Sequence, residues 1–174
     1  MALLRDGVAP HGRVSGPMAE VVLHGTQHLG AADLQAMAVY LQSLPQQAPR
    51  TATARTPDAA QRALGATLYD EHCVACHGTQ GEGGVTAEGR QVVPALAGNR
   101  LVTMDPPTNL VRSIALGGFG PATAGHPRPF GMPPFEQVLD DPRIAALTSF
   151  LRSSWGAQAS PLSASDVERY RGGG

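Results

Sequence analysis

Apolar residues recur at helical spacing in four stretches of the chain, and no stretch alternates apolar and polar residues as a half-buried strand would. In the first, Leu34, Met37, Ala38, Leu41 and Leu44 share one face. Asp33 stands near its start, where a carboxylate suits the helix dipole, and Pro45 ends the run. The second opens with Thr56 as N-cap and Pro57 at the first helical position, where proline's missing N–H costs nothing; Asp58 follows in the first turn. Leu64 and Leu68 form one ridge of this helix, Gly65 and Tyr69 another, and it runs into "EHCVACHG". The third, roughly 109–116, ends at Gly117 and Gly118, a C-cap signal. The last opens at Asp141 and Pro142, buries Ile144, Leu147, Phe150 and Leu151, and closes at Trp155.

The segments between these helices read as loops. Residues 45–56 are rich in Pro, Ala and Thr without apolar periodicity, and form a linker with a domain boundary. Residues 78–107 and 117–135 are crowded with Gly and Pro, and residues 156–174 read as a weakly ordered tail. An internal repeat links the two ends. "GPMAEVV…DLQAMAVYLQSLP" matches "FGMPPFEQV…RIAALTSFLRSSW", pairing Tyr40–Leu41 with Phe150–Leu151 and Met18 with Met132.

Composition narrows the function classes. The 174 residues include 21 Gly and 15 Pro, with only 5% aromatic and 16% charged residues, so short helices joined by long loops bury a thin core unless a bound cofactor fills it. The formal charge of −1 argues against a nucleic-acid footprint and against polybasic membrane attachment. No stretch approaches a membrane-spanning length of apolar residues. "MALLRDGVAP" lacks the apolar core of a secretory signal, since Arg5 and Asp6 follow only three apolar residues.

The two cysteines, Cys73 and Cys76, and the adjacent His77 form C-x-x-C-H, which reads as a c-type haem attachment site. Two thiols on one helical turn can each add to a vinyl group of the same porphyrin, while the next residue reaches the iron with Nε2. A dithiol redox motif would expect a βαβ context, and a structural zinc site would need two further ligands; neither is visible. A plain disulfide would leave His77 unexplained. The candidate second axial ligand is Met132 in "FGMPPF", whose flanking Gly131, Pro133 and Pro134 build a stiff loop; His126 and Met104 are the competitors. Pro94 and Leu96 in "VPALAGN" are candidates to accept the Nδ1–H of the ligating histidine and to cover the ring face. His11, His24, His28 and His72 read as surface histidines, and "GTQGEGG" is no phosphate loop, because it follows no strand and has no lysine.

Taken together, Gly65 and Tyr69, "CVACH", Pro94–Ala95–Leu96, Met132 in "GMPPF" and Phe150 resemble a class I cytochrome c domain over residues 57–155. The resemblance implies an all-α fold whose first and last helices cross through a Gly–aromatic contact, here Gly65 and Phe150. It also implies one covalent haem c held by Cys73 and Cys76 and ligated by His77 and Met132. More narrowly, the chain is similar to the C-terminal part of the three-haem cytochrome subunits of bacterial membrane-associated alcohol, aldehyde and sugar-acid dehydrogenases. It departs from them in carrying one C-x-x-C-H motif instead of three. On this resemblance residues 1–44 are the C-terminal half of a preceding cytochrome c domain, residues 57–155 a complete monohaem domain and residues 156–174 a tail. The export signal is expected upstream in a longer parent. The implied function is electron transfer, without catalysis by this chain, from a dehydrogenase catalytic subunit to quinone or an oxidase. The implied place is the periplasm or the periplasmic face of the inner membrane, with membrane contact only by association. A stand-alone carrier cytochrome and a catalytic haem enzyme are the alternatives. The half-domain lacks its own partner helix, so residues 1–44 are expected to be mobile or self-associating. Removing residues 1–50 should then leave the haem site unchanged.

Overall fold

The computed structural model describes residues 1–45, 55–89 and 91–172. Most of the linker expected at 45–56 therefore lies outside the described residues. The chain opens with α1 (Ala2–Arg5), a two-residue ladder of β1 (Val8–Ala9) and β2 (Gly12–Arg13), α2 (Pro17–His24), a 3₁₀ turn at Thr26–His28 and α3 (Ala31–Ser43). Then follow α4 (Ala59–His72), α5 (Val74–His77), the pair β3 (Gly84–Val85) and β4 (Gln91–Val93), α6 (Arg100–Thr103) and α7 (Thr108–Leu116). The pair β5 (Gly118–Phe119) and β6 (Gly131–Met132), α8 (Asp141–Arg152) and α9 (Ala164–Gly172) complete it. The fold is mostly helical, as expected. Among the described residues the three two-stranded ladders are too short to show alternation, and their hydrogen bonds pin loops.

The core lies where α4, α7, α8 and α9 meet. Buried Leu68 and Tyr69 of α4 join Leu110, Val111, Ile114 and Ala115 of α7, and Ile144, Leu147 and Leu151 of α8. Leu64 lies 42% exposed, so the inward face of α4 runs through Gly65, Leu68 and Tyr69. At Gly65 the backbone of α8 approaches so closely that a Cβ would fall 2.6 Å from Phe150 Cβ and collide with the Ala146 carbonyl. Below this crossing Tyr69, Phe150 and Trp155 form a cluster with ring centroids 5.1–5.8 Å apart.

Two helix starts differ from the sequence reading by a residue or two. Asp58, not Thr56, caps α4, its carboxylate accepting from the Gln61 N–H at 2.7 Å. Asp140 caps α8 in the same way through the Arg143 N–H. Asx side chains outrank Thr as N-caps, which accounts for Asp58 over Thr56; at α8 the cap is the first of two adjacent aspartates. The tail is a larger correction. Residues 164–172 form α9, with Leu162 and Val167 4% and 0% exposed in the core. Ser163 and Asp166 exchange bonds as a capping box, and Leu162 and Val167 stand at the two positions of a hydrophobic staple. That signature stands in the sequence, inside the segment that reads as a weakly ordered tail.

Arg152 is 1% exposed and ties three segments together. Its guanidinium donates to the carbonyls of Val102, Met104 and Ser160 at 3.1, 2.8 and 2.8 Å, and pairs with Asp105 at 2.7 Å.

Residues 1–45 are not an independent appendage, contrary to the expectation of a mobile or self-associating segment. Val22 and Leu34 are buried, Thr26 Oγ1 donates to the Leu4 carbonyl at 2.5 Å, and residues 6–27 pack on the loop between β5 and β6. Of the apolar face expected on α3, Leu34 is buried and Ala38 half-buried, while Met37, Leu41 and Leu44 are 36%, 51% and 40% exposed. Met18 lies in α2, 46% exposed, whereas its repeat counterpart Met132 lies in β6. The repeat therefore does not give the two methionines the same local structure.

Two stability predictions follow from the crossing and the clamp. Gly65→Ala must separate α4 from α8 and should cost about 1–3 kcal/mol in denaturant unfolding of the holoprotein. Arg152→Leu, which strands three carbonyls and the Asp105 carboxylate, should cost about 2–4 kcal/mol in the same measurement.

Candidate functional site

The site begins where α4 ends. Cys73 closes α4, and the chain re-enters one helical turn, α5, over Val74–His77, stopped at Gly78 with φ 76°. The Cys76 and His77 N–H groups both donate to the Cys73 carbonyl. This single turn sends the two cysteines to different surroundings: Cys73 is buried in the core cluster and Cys76 is exposed, both as free thiols. Burial, reinforced by the nearby Cys76, pushes the Cys73 thiol up to about 11.

His77 Nδ1 lies 3.2 Å from the Pro94 carbonyl oxygen. A carbonyl only accepts, so Nδ1 carries the proton and Nε2 holds the free lone pair. Burial holds the imidazole below its ordinary pKa, and the Pro94 bond works against that shift without cancelling it. A neutral histidine with Nε2 free and Nδ1 held by a backbone carbonyl is the form a metal ligand takes.

The Pro94 loop is itself anchored. Gly81 accepts from Leu96 N at 2.7 Å and from Ala97 N at 3.0 Å, and Gly83 N donates back to the His77 carbonyl. Asn99 is buried and donates to the Ala95 carbonyl at 2.9 Å, while its side-chain oxygen accepts from Leu101 N and caps α6. Gly81 has φ 65°, and a Cβ there would meet Trp155 at 2.6 Å. "GTQGEGG" thus keeps a glycine where the ring that closes α8 rests on the loop. Tyr69 adds another tie, its hydroxyl donating to the Gly78 carbonyl at 2.6 Å. Burial, then Cys73 and Glu82, raise its pKa, so it stays a donor.

Met132 is half-buried against the same core cluster that holds Cys73 and on which Val74 and Leu96 also pack. It pairs with Gly118 in the β5–β6 ladder, and Phe135 and Glu136 donate to the Ile114 and Ala115 carbonyls of α7. The structure thus brings Cys73, Leu96 and Met132 to one core, with His77 and Pro94 in contact beside it. His126 sits in a turn closed by reciprocal bonds between the Thr123 and His126 backbones, and Met104 is 43% exposed beyond α6. Two features escaped the sequence reading. Asn99 and Gly81 hold the Pro94 loop, and Phe119 and Phe130 stand 73% and 59% exposed beside Met132. Aromatics in a Gly/Pro loop were the available signal for the second.

These residues fit a c-type haem: two free thiols spaced for two vinyl groups, a neutral imidazole with its Nε2 free, and a thioether packed on the same core. The family model for cytochrome c matches residues 62–155. The chain belongs to the cytochrome c family. Its cofactor is accordingly a covalently bound c-type haem, and its role is electron transfer. The chain is 36% identical over 98% of its length to the cytochrome c subunit of the quinone alcohol dehydrogenase of Gluconobacter oxydans (strain 621H). It is 33% identical over 97% to the gluconate 2-dehydrogenase cytochrome c subunit of Pantoea cypripedii, and 31% identical over 98% to the fructose dehydrogenase cytochrome subunit of Gluconobacter japonicus. It spans 37–39% of the length of these relatives. Among the described residues no helix is long and apolar enough to cross a membrane.

Tyr69→Phe removes one hydrogen bond between α4 and the turn after His77. It should cost about 1 kcal/mol, read as a melting shift of about 2–4 °C in the holoprotein.

Proposed function

We propose that residues 57–155 form a monohaem electron-transfer domain. In it Cys73 and Cys76 hold one haem c, His77 and Met132 ligate its iron, and Pro94 and Leu96 line the histidine side. The observation that carries this reading is the His77–Pro94 contact at 3.2 Å, directly after two free thiols. When bound, the haem supplies a one-electron ferric/ferrous couple. The protein's part is to fix the ligands and exclude water. Pro94 orients the imidazole and makes it more electron-donating. Met132 supplies a thioether, which raises the potential relative to a second nitrogen ligand. Leu96 and the α7–α8 core give an apolar wall, so oxidation state changes with little rearrangement. Exposed Phe119 and Phe130 offer an apolar docking rim, in keeping with a formal charge of −1 that steers no strongly charged partner.

The similar proteins are cytochrome subunits of dehydrogenases, which supports a place for this chain between a periplasmic dehydrogenase catalytic subunit and a respiratory acceptor, quinone or oxidase. In that setting the chain works at the periplasmic face of the inner membrane by association. Residues 1–44 are then the end of a preceding cytochrome c domain. The exposed Met37, Val39, Tyr40, Leu41 and Leu44 of α3 support this, because one helix rarely leaves so much apolar surface uncovered without a partner.

Protein made in a periplasm with haem-attachment machinery should give one haem per chain by pyridine haemochrome. The haem should resist acid–acetone and add its mass to the polypeptide. Met132→Ala should open the iron to carbon monoxide. A bare polypeptide mass would overturn the haem assignment. Loss of low-spin ligation in His126→Ala but not in Met132→Ala would overturn the axial one.

A further inference from the structure

The loop that carries Met132 is covered on its outer side by the N-terminal segment. Pro121 and Thr123 are buried there. Thr123 Oγ1 donates to the Asp6 carbonyl at 3.1 Å, and Gln27 Nε2 to the Ala122 carbonyl at 3.4 Å. Pro121 packs so closely on Gly7 that a Cβ at Gly7 would meet its ring at 2.6 Å.

Arg13, at the end of β2, spans both arms of this loop. On the returning arm its Nη1 donates to the Phe130 carbonyl at 2.8 Å, two residues before Met132. On the outgoing arm the guanidinium lies over Gly120, where a Cβ would collide with Nε and Nη2. Between these points the arms are joined by the ladder that pairs Phe119 with Gly131 and Gly118 with Met132. The guanidinium is partly buried, and its Nε has no hydrogen-bond partner among the described residues. Burial holds its pKa below the ordinary arginine value. For stability alone a neutral side chain would serve this place at lower desolvation cost. What an arginine adds is a rigid, planar fork wide enough to reach both arms at once.

We propose that Arg13 is a positioning residue for Met132: it clamps the two arms of the 117–132 loop, so that the N-terminal segment forms part of the wall of the haem site. This rests on the reading of Met132 as the sixth ligand. It reverses the expectation that removing residues 1–50 leaves the haem site unchanged.

The test uses the full-length ferric holoprotein, with variants Arg13→Gln, Arg13→Lys and Gly120→Ala, and Met132→Ala as reference. The readouts are the thioether-to-iron charge-transfer band, the affinity for added imidazole and the reduction potential. Arg13→Gln and Gly120→Ala should weaken the band, bind imidazole at least about tenfold more tightly and lower the potential. Arg13→Lys, which keeps the charge without the fork, should fall between these and the unaltered protein. Gly120→Ala removes neither donor nor charge, so it decides the matter if Arg13→Gln does not retain haem. An unchanged band and imidazole affinity in the variants, even with a lowered melting temperature, would overturn the proposal and leave Arg13 a merely structural residue. If Met132→Ala itself keeps the band, the axial assignment fails instead, and the two failures are told apart.

Discussion

At Gly65 the backbones of α4 and α8 come so close that no side-chain carbon fits between them, and the geometry of the site descends from that contact step by step. The crossing fixes the direction of α4, hence where Cys73 turns into the core. It equally fixes α8, whose end places Trp155 on Gly81. Gly81, held there, presents its carbonyl to Leu96 and Ala97, and the loop so anchored presents the Pro94 carbonyl to His77. The link from helix packing to imidazole orientation passes through backbone groups and a few ring contacts, each with little room to move.

The segment around Met132 is held differently. Met132 sits in a loop rich in Gly and Pro, whose regular structure is a two-residue ladder. Its support comes from α7 on one side, through the Ile114 and Ala115 carbonyls, and from the N-terminal segment on the other. The His77–Pro94 contact is thus anchored to the packed core, while the loop that carries Met132 lies at a seam between two parts of the chain. Arg152 has a comparable role away from the site, joining α8 to the turn after α6 and to the segment before α9.

Much of this was legible in the sequence because the chemistry is local. C-x-x-C-H needs only five adjacent residues, and the Gly117 stop and the proline at the start of α8 act within a single turn. The Gly65–Phe150 contact is implied by a resemblance that orders such signals along the chain, and the Pro94 carbonyl by the need of a ligating histidine for an acceptor at Nδ1. What the sequence hid were contacts between distant residues. Nothing near Arg13 announces that it reaches Phe130, 117 residues away, and nothing near Arg152 announces three carbonyl partners. The α9 helix is a different case: the Ser163–Asp166 capping box and the Leu162–Val167 staple are local signals that stand in the sequence, inside a segment that otherwise reads as a weakly ordered tail.

The acceptor that fixes His77 is a main-chain oxygen, and this decides how the site can vary over generations of mutation. A side-chain acceptor could be deleted by one codon change; the Pro94 carbonyl survives replacement of Pro94 by any amino acid. Variation can reach it only by altering the path of the loop, through Gly81, Asn99 or Trp155. The electron-donating power of the imidazole is therefore encoded in residues that never touch it. Divergence at position 94 itself is a poor guide to whether that tuning has been kept.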